Sequence, residues 1–99
     1  MDRKEVITRL KATEPQIRAL GVDALYLYGS YASDSARSDS DIDVLVDFCP
    51  ESGKGLTAFM MPYQLLEDQF PGVEIGYGTR ESISPAYRAS VEQSAIRVF

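Results

Sequence analysis

Apolar and polar positions along this chain recur with two different periods. Val6, Ile7 and Leu10 fall at helical spacing, which predicts a short amphipathic helix over residues 3–12. Thr13 stands three residues before Gln16, a capping-box pattern with Pro15 in the tolerated first turn, so a second helical piece over 14–20 is expected, stopped by Gly21. Residues 23–28 read as a first strand. Leu25 and Leu27 alternate there with Tyr26 and Tyr28, so one pair faces a helix layer and the other an edge or a site. Residues 41–48 alternate most clearly: Asp41, Asp43, Leu45 and Asp47 share one face, and Ile42, Val44, Val46 and Phe48 the other. After a Pro- and Gly-rich loop at 50–55, the apolar face Leu56, Phe59, Met60, Tyr63, Leu66 and Phe70 predicts a mostly core-facing helix through residue 70. Pro62 either kinks that helix or marks its start near Met60. A third strand is expected over 73–77 with Glu74 in its middle. A last helix is capped by Ser84, opened by Pro85, and runs to about Ala95. The apolar tail Ile96–Phe99 is suited to docking on the body or on a neighbour. The resulting order is helix, strand, helical turn, strand, helix, strand, helix: a small α/β domain with helices packed on a short sheet.

Composition narrows the setting. At 99 residues the chain suits one domain over 1–99 with one core. A net charge of −5 and no histidine argue against an extended nucleic-acid surface, which needs a basic face, while leaving a local basic pocket open. Cys49 is the sole cysteine, so no internal disulfide forms, as fits a reducing cytoplasm. The opening MDRKEVITRL is charged and helical in spacing, unlike a signal peptide, and no apolar run approaches the ~20 residues of a membrane span.

The chemistry is concentrated between the first two strands, in GSYASDSARSDSDID (29–43). Asp41 and Asp43 flank Ile42, so both carboxylates leave one face at the start of a strand. Two like charges this close repel unless a cation sits between them. Mg²⁺ suits such an all-oxygen pair, taking one or two carboxylates, waters and substrate phosphates. Gly29 permits close backbone approach, and Ser30 offers a hydroxyl and an N–H to a phosphate. A helical turn after Ser30 would add free N–H groups. Alone, each motif is commonplace: a Gly-Ser pair means little, and Asp-x-Asp most often marks a solvated edge. At this spacing between two strands, they make a site for a nucleoside triphosphate and a metal.

Gly29-Ser30, ten intervening residues, then Asp41-Ile42-Asp43 resembles the GS-x10-D-x-D signature of the polymerase-β-like nucleotidyltransferase superfamily. The context LYGSYA…RSDSDIDVLV is similar to the minimal nucleotidyltransferases (MNT), and the likeness covers nearly the whole chain. It implies an α/β (α+β) fold with a short mixed sheet flanked by helices. By the same resemblance Gly29 and Ser30 bind the triphosphate, and Asp41 and Asp43 hold Mg²⁺. Glu74 falls where the family usually has a third acidic residue, an aspartate, that helps bind metal and orients or deprotonates the attacking hydroxyl. A two-metal site with ATP as substrate is implied, with attack on the α-phosphorus and departure of pyrophosphate.

Two departures stand out. Tyr31 and Ser33 occupy positions where the family often has arginines, and Asp34 one where it has glycine. Arg37, Lys54, Arg80 and Arg88 remain as cations for the phosphates, though each taken singly reads as an ordinary surface charge. Glu74 reaches about 1.5 Å further than aspartate, one C–C bond. The family commonly pairs with a HEPN-domain protein in toxin–antitoxin modules. The resemblance therefore implies a cytoplasmic antitoxin, hetero-oligomeric with its toxin, that transfers AMP to a tyrosine of the HEPN ribonuclease. The alternative is a degenerate domain that neutralises its partner by binding alone. Transfer to a small molecule is disfavoured, because the chain has no room for an acceptor-holding domain.

Overall fold

The computed structural model describes residues 2–33, 35–37, 40–50 and 55–99. Helix α1 (Arg3–Ala12) begins at Asp2, whose carboxylate accepts the Glu5 N–H at 2.8 Å. Helix α2 (Glu14–Ala19) follows after one residue. The capping box expected at Thr13 does not form. Thr13 has helical dihedrals, and its buried hydroxyl donates back to the Leu10 carbonyl at 2.6 Å, closing α1 instead of opening α2.

Four strands form one mixed sheet: β1 (Val22–Tyr28), β2 (Ile42–Phe48), β3 (Ile75–Gly78) and β4 (Ile96–Arg97), in the order β3-β2-β1-β4. β1 runs antiparallel to β2 and to β4, while β2 and β3 are parallel. A parallel pair needs a crossover, and helix α4 (Leu56–Gln69) supplies it. Cross-strand register puts Leu25 beside Val46, Leu27 beside Val44, and Ile42 beside Ile75 on one face. Val6 and Leu10 of α1, Ile17 of α2, and Leu66 and Phe70 of α4 complete that core. Tyr77 packs against Phe59 and Tyr63 of α4, with ring centroids 5.2 and 5.6 Å apart, and Phe59 also lies 6.0 Å from Phe48. The Tyr77 hydroxyl is satisfied by the Phe59 carbonyl at 2.7 Å.

Several expectations need correction. α4 runs unbroken from Leu56 through Pro62. Leu56 and Met60 are 77% and 38% exposed, so the apolar stripe is wider than the surface that covers it; only Leu66 and Phe70 among its predicted members are fully buried. β3 starts two residues later than the pattern predicts. The Val73 N–H is taken by the Phe70 carbonyl at 3.1 Å, which keeps this segment in a turn, and pairing begins where Ile42 N–H donates to the Glu74 carbonyl at 3.0 Å. Glu74 therefore precedes the strand and is exposed. Helix α5 (Pro85–Ser94) lacks a side-chain cap from Ser84. The apolar tail docks on its own body as β4, pairing with Tyr26 and Leu27 and burying Val98 and Phe99. Among the described residues, no helix is long and apolar enough to cross a membrane.

Candidate active site

The second face of the sheet carries the chemistry. By register it presents Tyr26 and Tyr28 from β1, Asp43, Leu45 and Asp47 from β2, and Gly76 and Gly78 from β3. Asp43 stands in the middle, between Tyr28 on one side and Gly76 on the other. Asp41 lies one residue before β2 and is exposed. Immediately after Tyr28 the chain turns into a one-turn helix, α3 (Gly29–Ala32), which packs on both β1 and β2. The turn is braced from behind by Ser35, whose N–H donates to the Ser30 carbonyl at 2.9 Å.

Two glycines make a slot for the Asp43 carboxylate. Gly29 has φ +74°, a conformation that favours glycine, and a Cβ there would overlap Oδ2 of Asp43. A Cβ on Gly76 would overlap Oδ1. Gly76 has no positive φ, so the carboxylate alone accounts for its missing side chain. Burial, and then the neighbouring Asp41 charge, hold the Asp43 carboxyl above the usual carboxylate range. Burial followed by the Asp43 charge likewise pushes the Tyr28 hydroxyl up. Asp41 and Asp43 thus form an acidic pair for which no ion-pair partner appears among the described residues. Such a pair of hard oxygen donors fits Mg²⁺, which completes its shell with water and phosphate.

Further along the same face the second β2 carboxylate, Asp47, is neutralised within the chain. Arg80, in a 3₁₀ turn at Arg80–Ser82, reaches Asp47 and Glu92 at 3.3 Å each and stacks over the Tyr26 ring at 5.0 Å. Burial opposes its charge, but Asp47, Tyr26 and Glu92 outweigh that and hold the guanidinium above its usual value. Arg80 is thereby committed to joining the sheet to α5.

The remaining candidates are dispersed. Glu74 does not join the Asp41–Asp43 pair: among the described residues no three His, Cys, Asp or Glu side chains group closely enough to hold a metal. Its charge is felt instead by Tyr63 of α4, and the β3 residue facing Asp43 is Gly76. Arg37 is exposed on the loop, its N–H donating to the Ser40 hydroxyl at 2.7 Å. Lys54 and Asp34 lie outside the described residues. Arg88 sits on the inward side of α5 with Val91. The reading from residues alone missed Gly76. Its signal was a glycine inside a strand pattern, which often marks a close approach.

The model of the nucleotidyltransferase domain family matches residues 3–98. This chain belongs to that family. The nucleotidyltransferase is 30% identical over 78 residues to a proposed protein adenylyltransferase of Methanocaldococcus jannaschii, MJ1379, covering 78% of this chain and 77% of that one. It is also similar to the solved structure of a proposed minimal nucleotidyltransferase, with 30% identity and a TM-score of 0.78, covering 97% of this chain and 95% of the other. A toxin–antitoxin structure with AMP-PNP shares the fold, with a TM-score of 0.64 at 19% identity, covering 100% of this chain and 73% of that chain. The mixed sheet flanked by helices is the nucleotidyltransferase fold, and the protein is an enzyme of nucleotidyl transfer.

Proposed function

We propose that this nucleotidyltransferase is a Mg²⁺-dependent protein adenylyltransferase that moves AMP from ATP to a tyrosine hydroxyl of a HEPN ribonuclease, and so acts as its antitoxin. The observation that carries the nucleotide site is the Asp43 carboxylate, held between Gly29 and Gly76 beside Asp41 and directly under the Gly29-Ser30 turn. Gly29 and Ser30 receive the phosphate chain at the turn, where the backbone can approach closely. Asp41 and Asp43 would hold Mg²⁺, which would supply polarisation of the phosphate and offset the charge that develops there. The tyrosine oxygen attacks the α-phosphorus in line; the new O–P bond forms and the hydroxyl proton passes to solvent as the bond to pyrophosphate breaks and pyrophosphate leaves. The rigid sheet contributes mainly positioning of the reacting groups. The HEPN partner and the tyrosine acceptor rest on the family resemblance. The similarity to a proposed protein adenylyltransferase supports a protein acceptor, and the shared fold with a toxin–antitoxin structure supports a toxin as partner.

One observation favours a second reading. Gly76 faces Asp43 where another strand could have offered a third carboxylate, and Glu74 stays outside the pair. A site with two carboxylates suits a domain that binds nucleotide and neutralises its partner by contact alone. Intact mass spectrometry separates the readings. A HEPN partner is incubated with the enzyme, Mg²⁺ and each of the four nucleoside triphosphates, with the double variant Asp41→Asn/Asp43→Asn as control. Mass increments of whole AMP units that vanish in the variant support transfer. A tight complex with no increment supports the binding antitoxin.

A further inference from the structure

The site as described is acidic, yet a triphosphate needs a cation, and the turn after Gly29-Ser30 carries Tyr31 and Ser33 but no arginine. Of the cations that the sequence singles out for the phosphates, three arginines are described, and the structure separates them. Arg80 is engaged on three sides, by Asp47, Glu92 and the Tyr26 ring. Arg37 is exposed on the loop between α3 and β2. Arg88 differs from both. On α5 only Arg88, Val91 and the capping Ala95 are partly buried while their neighbours are exposed, so Arg88 faces the body, and α5 packs against α3, the helix that begins at Gly29.

Arg88 is also poorly satisfied where it rests. One guanidinium nitrogen, Nη2, donates to the Ile83 carbonyl at 3.3 Å, a long bond. Its Nε is buried and has no acceptor among the described residues. Arg88 takes part in none of the ion pairs formed among the described residues, although its charge reaches Glu81. A buried donor without an acceptor is costly, so this resting arrangement gives up little when the side chain moves to an anion. A guanidinium fork matches phosphate oxygens two at a time.

We infer that Arg88 is the cation that receives the phosphate chain of the nucleoside triphosphate, swinging from its under-bonded rest position toward the Gly29-Ser30 turn. The inference rests on the nucleotide reading above and extends it to a residue of α5. It makes α5 part of the nucleotide site and not only a cover for the sheet.

The test is equilibrium binding of ATP with Mg²⁺ by calorimetry, on the wild type, Arg88→Ala, Arg88→Lys and Arg80→Ala, each checked for folding by circular dichroism. In parallel, the ¹⁵N-labelled arginine Nε–H signals of the wild type are followed on adding ATP. Arg88→Ala is expected to weaken ATP binding about tenfold or more, the scale of a lost charged hydrogen bond. Arg88→Lys recovers part of that loss, Arg80→Ala changes affinity little, and the Arg88 Nε–H signal shifts with ATP. If Arg88→Ala does not fold, the lysine variant and the wild-type signal still decide. ATP binding that is equal in wild type and Arg88 variants, with an unmoved Nε–H signal, overturns the inference and leaves the nucleotide reading intact. A folded wild type that binds no ATP overturns both.

Discussion

The two faces of β2 come from one alternating stretch and end in opposite conditions. On one face Ile42, Val44 and Val46 are wholly buried, and every neighbour they need is supplied by the chain itself. On the other, Asp43 is half-buried among glycines and next to a second carboxylate, while Asp47, four residues on, has Arg80. The apolar face is complete. The acidic face is neutralised within the chain at Asp47, and among the described residues Asp43 has no such counter-charge. A carboxylate held in that way by the surrounding fold is suited to a partner from outside, which in the proposed reading is a cation with its nucleotide.

The comparison can be broken first at its acidic end. Asp43→Asn should lower nucleotidyl transfer about 10²–10³-fold or more while the chain stays folded, since an electrostatic group is removed at the reacting centre. Transfer of labelled AMP, read beside circular dichroism, checks both parts. On the apolar face, Val46→Ala should do the reverse. It should lower stability by about 2–3 kcal/mol in urea unfolding, from lost burial and a partly unfilled cavity, and leave ATP affinity of the folded protein unchanged.

A third variant lies between the faces. Gly76→Ala adds one methyl group where the Asp43 carboxylate sits. It should cost about 1–3 kcal/mol in stability as overpacking and should weaken Mg²⁺-dependent ATP binding, because the carboxylate must leave its slot. The same substitution on the outer surface would cost nothing comparable, so equal stability and binding in this variant would remove the slot from the account.

The burial of Asp43 beside Asp41 also has a pH signature. Its carboxyl is raised in the fold, by burial and then by Asp41. Folding therefore favours the protonated form. The stability Asp43 contributes is present below its unfolded-state value and is lost as pH rises through the raised folded value. Without metal, Asp43→Asn should melt higher than the wild type at pH 7, and the gap should close as the pH falls into the acid range. Thermal melts across pH check this, and a wild type that melts higher at pH 7 would contradict it. The smallest effect is expected at the satisfied end. Arg80→Ala loses two part-exposed ion pairs and a ring contact, together about 1 kcal/mol, measurable by the same unfolding experiment.

Much of this was legible because periodicity reports burial. The strict alternation of β2, the Leu and Tyr pairs of β1, and the helical spacing of α1 placed those elements within a residue or two. What was not legible depended on partners distant in sequence. β4 is a two-residue strand, too short for any pattern, and exists because Tyr26 and Leu27 offer it a free edge. The outer part of the α4 stripe, Leu56 and Met60, has the same spacing as its buried part and differs only in what lies opposite. At the site, Gly29, Asp41 and Asp43 were placed together by motif spacing, and the structure brings them to one point. Glu74 has the right charge on the neighbouring segment, but the Phe70–Val73 turn delays the strand, and Gly76 takes the place beside Asp43. A shift of two residues along a strand keeps the same face and moves the side chain by roughly 6–7 Å, enough to take it out of a metal shell.

The most direct test of the acidic face as a nucleotide site is calorimetric titration of ATP in the presence of Mg²⁺ into the wild type and the Asp41→Asn/Asp43→Asn double variant. The account predicts binding by the wild type, loss of it when Mg²⁺ is chelated, and at least about a tenfold weakening in the folded variant. Equal binding by the two proteins, with or without Mg²⁺, would contradict it and move the nucleotide away from β2.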